Sequence, residues 1–176
     1  MKLIILDRDG VINYDSEHYI KSAQEWLPLP GSLEAIAQLN AKGYTVTVAT
    51  NQSGIGRGLY TEEDLGAIHQ KMQMSLAQLG GRIDRIFYCP HLPTQGCGCR
   101  KPAPGLLKQI ALYYRCDLTQ VPFVGDSLRD IRAACAAGCQ PVLVRSGNGA
   151  AVEALSYEAA PTVQVFDDLA AFVASL

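Results

Sequence analysis

The chain has 176 residues, a formal net charge of −2, and 48% hydrophobic against 18% charged residues. That length suits one domain, 1–176, with a proper core, and the charge argues against a nucleic-acid partner, which usually demands a basic excess. No stretch of about 18 apolar residues is present to cross a membrane, and "MKLIILDRDG" meets acids too early for a secretory leader, so the expectation is a cytoplasmic protein whose cysteines are free thiols or metal ligands.

Strand and helix patterns alternate along the chain. "KLIIL" (2–6) is a continuous apolar run that ends in Asp7, as a buried parallel strand would. Residues 31–43 predict a helix with Ser32 as N-cap, an apolar stripe of Leu33, Ile36, Ala37 and Leu39, and a stop at Gly43. "YTVTVAT" (44–50) is a β-branched strand. A longer helix is predicted over 61–81, with Thr61 as N-cap and Leu65, Ile68, Met72, Leu76 and Leu79 facing inward. Strands follow at 83–89, 121–126, 141–145 and 162–166, with helices at 105–115 and 127–138 and at the end of the chain. This alternation predicts an α/β fold: one Rossmann-like, mostly parallel sheet with helices on both faces.

Three predicted strands end in polar residues: Asp7, Thr50-Asn51 and Asp126. Ligands of open α/β sheets bind beyond the carboxyl ends of the strands, so these ends converge on one site. Asp7, Asp9 and Asp126 would repel one another without a cation among them, and a partly open oxygen-rich site suits Mg²⁺. The plainer alternative makes them turn-forming or helix-capping aspartates. "TNQSGIGRG" (50–58) adds hydroxyls, amides, three glycines and Arg57, a composition able to bind an anion through backbone amides. It lacks the GK[ST] of a P-loop, and plain turns would use the same glycines. Arg100 and Lys101 supply further positive charge.

"YCPHLPTQGCGCRKPAPG" (88–105) places Cys89, His91, Cys97 and Cys99 in a C-x-H-x₅-C-x-C pattern. Three sulfurs and one imidazole make a closed tetrahedral set of the kind that holds structural Zn²⁺. A metal could order a loop, 89–99, that buries little apolar surface of its own. The alternative is a buried strand-end thiol beside free thiols and an exposed imidazole. Cys116, Cys135 and Cys139 read as buried small hydrophobes, and His69 as a helix-surface residue.

"LDRDGVIN", "TNQSG", "RKPAPG" and "VGDSLRD" resemble, in order and strand placement, the four motifs of the haloacid dehalogenase superfamily of phosphohydrolases. "DRDG", the "TNQSGIGRG" loop and the Cys/His loop together resemble more narrowly the group that contains heptose-bisphosphate and histidinol-phosphate phosphatases. The resemblance implies a phosphomonoester hydrolase with Asp7 as nucleophile, forming an aspartyl-phosphate, and Asp9 as general acid and base. It also implies Mg²⁺ held by Asp7, the Asp9 carbonyl and Asp126. Thr50 and Lys101 would bind the transferring phosphoryl group, with Asp130 as support behind them. Substrate contacts are expected from Asn51, Gln52, Ser53, Arg57, Arg100, Asp15 and His18, and Arg145 is a further candidate for a second phosphate. The spacing between motifs leaves no room for a large cap domain, so short loops must select a small phosphorylated sugar or amino alcohol. With no dehydratase domain in the chain, a heptose 1,7-bisphosphate losing its 7-phosphate is favoured over histidinol phosphate. That substrate implies a place in lipopolysaccharide core assembly. A non-catalytic zinc module for phosphorylated ligands is the reading from another class. No nucleic-acid or membrane partner is expected, and a monomer is the default.

Overall fold

The computed structural model describes residues 1–176. In chain order the elements are β1 (Lys2–Leu6), α1 (Ser32–Ala41), β2 (Tyr44–Asn51), α2 (Ser53–Gly56), α3 (Glu62–Ala77), β3 (Arg85–Cys89), a 3₁₀ turn (Pro93–Gln95), α4 (Gly105–Tyr114), β4 (Pro122–Gly125), α5 (Leu128–Ala137), β5 (Gln140–Val144), α6 (Gly149–Ala159), β6 (Gln164–Phe166) and α7 (Leu169–Ala174). The strands form one sheet in the order β3-β2-β1-β4-β5-β6, and every pairing is parallel. The α/β architecture with helices on both faces and no cap domain is therefore as expected.

Burial on both faces explains why β1 reads as an unbroken apolar run. Ile4 and Leu6 join one cluster with Ile36 and Leu39 of α1, Ile68 and Met72 of α3 and Phe172 of α7. Leu3 and Ile5 point the other way, to Leu106, Leu107 and Ile110 of α4 and Ala133 and Ala134 of α5. The period-two alternation of a strand thus serves two cores at once.

Strand order decides where a site can form. From β1 the chain winds outward through β2 and β3, then returns to β4 on the other side of β1 and winds outward through β5 and β6. The reversal lies between β1 and β4, where Leu6 pairs with Val124 and the Asp7 amide donates to the Val124 carbonyl at 2.8 Å. A crevice opens at such a switch point, and Asp7 and Asp126 are the residues that leave the two strands there. β3 ends level with β2, Asn51 opposite Cys89, so the Cys/His loop starts at the same edge of the sheet.

Three local expectations need correction, and one helix was not expected. Gly31, with φ +77°, is the N-cap of α1; Ser32 lies inside the helix, where its buried hydroxyl donates to the Val11 carbonyl at 2.8 Å. Helix α3 has its Thr61 capping box with Asp64, but it ends at Ala77 and leaves Leu79 exposed. Cys135 is exposed, Cys116 is half-buried, and Cys139 alone of the three is buried. Helix α6 carried no signal in the sequence, because it buries only Gly149 and Ser156 and so has no apolar stripe.

Candidate active site

A cleft of about 380 Å³ lies beyond the carboxyl ends of β1, β2 and β4, and Asp7, Asp9, Asp15, Asn51, Gln52, Ser53, Arg57, Arg100, Lys101 and Asp126 all line it. Three expected residues do not. Thr50 is fully buried beneath the cleft, where its hydroxyl accepts from Gln52 Nε2 at 2.9 Å. His18 is exposed on the loop before α1 and contributes no wall. Arg145 is also elsewhere, paired at the surface with Glu153 and Asp167.

Carboxylates dominate the floor. Oxygens of Asp7, Asp126 and Asp130 lie within 4.8 Å of one another, and all three residues are buried. Lys101, only 2% exposed, sends Nζ to Asp7 Oδ1 at 2.9 Å, Asp130 Oδ1 at 2.6 Å and the Ala49 carbonyl at 2.9 Å. One ammonium among three buried carboxylates leaves two charges uncompensated. Burial, and then the neighbouring Asp130, hold Asp7 well above the usual carboxylate range and push Asp126 up to about 7. For Lys101, burial favours the neutral form, but Asp130 and Asp7 outweigh it and raise its pKa.

Hydrogen bonds show which oxygens are committed. Asp7 Oδ1 accepts from the Arg8 amide at 2.7 Å and from Lys101, which leaves Oδ2. Asp126 Oδ2 accepts from the Asn148 amide at 2.8 Å, which leaves Oδ1. Asp130 has neither oxygen free: Oδ2 closes the capping box of α5 with Ser127 at 2.6 Å, and Oδ1 meets Lys101. Asp130 thus caps the start of α5 and braces Lys101 with one side chain. The Asp9 carbonyl takes no main-chain hydrogen bond. Asp7, Asp126 and the Asp9 carbonyl therefore present free hard oxygens beside an uncompensated double negative charge, and a divalent cation such as Mg²⁺ fits there. Two glycines crowd Asp126: a Cβ on Gly10 (φ +80°) or Gly147 (φ +60°) would lie 2.0 or 2.2 Å from its Oδ2.

Asp9 stands apart from this cluster and is held ionised. Burial acts to raise its pKa, but the Arg8 charge and hydrogen bonds from Asn13, Arg8 and Gln52 bring it below the usual range. Asn51 commits its amide to the main chain of Lys101, donating to the carbonyl and accepting from the amide, both at 3.0 Å. It fixes the loop that carries the lysine.

The cysteine loop closes one side. Around Cys99 Sγ lie Cys89 Sγ at 3.0 Å, His91 Nδ1 at 3.2 Å and Cys97 Sγ at 3.6 Å. Cys89 Sγ stands 3.4 Å from His91 Nδ1 and 3.6 Å from Cys97 Sγ. Bonds of about 2.3 Å to sulfur and 2.0 Å to nitrogen in a tetrahedron imply edges only slightly longer, so the set fits Zn²⁺. Arg100 and Lys101 follow Cys99 directly, so the loop's anchor and the site's cations are consecutive residues.

Comparison with known proteins places this geometry. A family model described as HAD-hydrolase-like matches residues 98–172. A D-glycero-beta-D-manno-heptose-1,7-bisphosphate 7-phosphatase of Pseudomonas putida is 54% identical over 176 residues, which is 100% of this chain and 99% of the relative. The chain belongs to the haloacid dehalogenase superfamily of phosphohydrolases. Another relative in this superfamily, of the same name and from Bordetella bronchiseptica, is 60% identical over 149 residues, 85% of this chain and 83% of its own length. The crystal structure of D,D-heptose 1,7-bisphosphate phosphatase from B. bronchiseptica, complexed with magnesium and phosphate, superposes with a TM-score of 0.97 at 54% identity, covering 99% of this chain and 97% of that one. The corresponding phosphatase of Burkholderia thailandensis gives 0.79 at 44% identity, with coverage of 99% and 97%.

Several wall and support residues of this superfamily member escaped sequence reading. Arg8, between two aspartates, drew no role from the sequence, yet it is 1% exposed and turns back onto Asp9. Arg129, the second residue of α5, lines the cleft beside Arg100. Burial and then Arg129 lower the Arg100 pKa, and neither arginine has an ion-pair partner. His69 is half-buried rather than fully exposed, and its ring meets Arg8 at 3.3 Å. No pattern along the chain announces these contacts, which span up to 61 residues.

Proposed function

We propose that the chain removes the 7-phosphate of D-glycero-D-manno-heptose 1,7-bisphosphate, and of the β anomer that its relatives' names specify. The observation that supports it most is Asp7, whose Oδ2 alone is uncommitted, at the switch point beside Lys101 and Asp126. Asp7 Oδ2 attacks phosphorus, and the P–O bond to the sugar breaks with its electron pair on the sugar oxygen. Asp9, once protonated, gives its proton to that oxygen. A water molecule then loses its proton to Asp9 and attacks phosphorus, the bond to Asp7 breaks, and inorganic phosphate leaves. Lys101 meets the charge of the transferring phosphoryl oxygens, where positioning and electrostatics carry most of the rate. Mg²⁺ held by Asp7, Asp126 and the Asp9 carbonyl would screen the repulsion between nucleophile and phosphate. Zn²⁺ on Cys89, His91, Cys97 and Cys99 would leave no open position and would serve only to order the loop.

Arg100 and Arg129, unpaired and adjacent, are the proposed seat of the second phosphate, with Arg57 near them against the Tyr19 ring at 5.9 Å. Like charges that no acid balances favour a dianion over a neutral or cationic group. Histidinol phosphate carries an amine where the bisphosphate carries an anion, and the basic wall disfavours it. We place the protein in the cytoplasm as a monomer: no helix is long and apolar enough to cross a membrane, all six cysteines are unpaired, and every residue given a role above belongs to one chain. The test is phosphate release with Mg²⁺ from heptose 1,7-bisphosphate beside histidinol phosphate. A strong preference for the bisphosphate is expected, with Asp7→Asn inactive but folded. Equal or better turnover of histidinol phosphate would overturn the substrate assignment.

A further inference from the structure

Behind Asp9 lies a buried polar network that the two chemical steps do not use. Arg8 Nε and Nη2 donate to Asp9 Oδ1 at 3.1 and 2.9 Å, and Nη2 also reaches Oδ2 at 3.2 Å. Gln52 Nε2 donates to Asp9 Oδ2 at 3.0 Å. Each of these two holders is itself held. Arg8 Nη1 meets His69 Nε2 of α3 at 3.3 Å. Gln52 Oε1 accepts from the Tyr60 hydroxyl at 2.5 Å. The donor and acceptor roles are forced: a guanidinium only donates, so His69 Nε2 must be the unprotonated nitrogen, and a carboxylate only accepts, so the Gln52 amide has one orientation.

We propose that His69, acting through Arg8, and Tyr60, acting through Gln52, are positioning residues that aim the Asp9 carboxyl at the sugar oxygen leaving phosphorus. The assignment rests on Asp9 as the proton donor of the reaction above. Neighbours in sequence cannot aim each other unaided, because the Arg8 side chain has several rotamers of similar energy. His69 removes that freedom from one end. Burial, and then the Arg8 charge, push His69 down to about 3, which favours the neutral ring that the Arg8 contact requires. Tyr60, 5% exposed, is locked by packing against Gly54, where a Cβ would lie 2.1 Å from its ring. Helix α3 and the α2 turn thereby set the angle of a carboxyl that belongs to neither.

The chemistry supplies a readout that a merely structural role would not move. A sugar leaves as an alkoxide and needs the proton; 4-nitrophenolate leaves without it. The measurement is the rate of phosphoryl transfer to the enzyme in a single turnover, with heptose 1,7-bisphosphate and with 4-nitrophenyl phosphate. Loss of general acid catalysis costs about a hundredfold or more, so a misaimed acid is expected to cost roughly tenfold. His69→Ala should therefore slow the sugar reaction about tenfold at unchanged KM and leave nitrophenolate release within about twofold. His69→Gln, which returns an acceptor for Arg8, should restore most of the rate. Tyr60→Phe removes one hydroxyl with little risk to folding and should show the same selectivity. Equal slowing of both substrates, or no slowing of either, would overturn the proposal. Asp9→Asn run alongside separates the two ideas: if it too spares the sugar reaction, the role of Asp9 fails and this inference with it, whereas a defect in Asp9→Asn alone refutes only His69 and Tyr60.

Discussion

Lys101→Met keeps the aliphatic stem and removes only the ammonium, which makes it the sharpest test of the charge balance. Nζ stands 2.9 Å from Asp7 and 2.6 Å from Asp130, with Lys101 and Asp130 only 2% and 1% exposed. Without it Asp130 is a buried anion with no counter-charge. Breaking such a pair costs about 3–5 kcal/mol, and a domain of this size loses roughly 2–4 °C of Tm per kcal/mol, so a fall of about 6–20 °C is expected. The phosphoryl group loses its buried cation as well, and removal of one preorganised donor lowers kcat by roughly 10² to 10³. Adding Asp130→Asn separates the effects. An amide oxygen can still accept from Ser127 in the capping box, while the stranded charge is gone. The double variant should regain most of the lost Tm and none of the lost kcat, measured by thermal melting and by phosphate release under saturating Mg²⁺. Near-normal turnover in the double variant would refute the reasoning, for Lys101 would then be a counter-ion of Asp130 and nothing more.

Arg129→Ala should raise KM for the bisphosphate by about tenfold or more, the share of one charge-assisted contact, and leave KM for 4-nitrophenyl phosphate unchanged; parallel kinetics on both substrates check it. If Cys89, His91, Cys97 and Cys99 hold zinc as proposed, Cys97→Ser should show zinc lost by elemental analysis, with Tm and kcat both lower because Arg100 and Lys101 follow the loop directly. Mg²⁺ should raise Tm more at pH 8 than at pH 6. Asp126 is held at about 7 in the metal-free fold against an ordinary value of 3.8, so the metal-free protein loses stability as pH rises through that interval, and at pH 6 the metal must first displace a proton. Gly10→Ala should abolish Mg²⁺-dependent turnover, because φ is +80° and the new methyl would press on Asp126 Oδ2; normal activity in that variant would remove Asp126 from the site.

Residue order alone determined much of this protein. The apolar run of β1 ending in Asp7, the β-branched run ending in Asn51 and "FVGD" ending in Asp126 each carry a strand and its polar end in adjacent residues, so local pattern sufficed. The spacing of Cys89, His91, Cys97 and Cys99 was equally local, and the structure brings the four side chains together because all lie within one short loop. Helix α6 was not, because an exposed Ala-rich helix has no apolar stripe to report it. Only the tertiary structure decided that Thr50 lies under the cleft, that Arg145 is bound elsewhere by Glu153 and Asp167, and that Arg129 joins Arg100 in its wall. It alone brought His69 of α3 against Arg8, and Lys101 between Asp7 and Asp130. Those contacts depend on the winding order around β1 and on side chains crossing between elements, and neither leaves a period or a spacing along the chain. Strand ends are written locally; the partners that give each charged group its work are set by which elements the sheet makes neighbours.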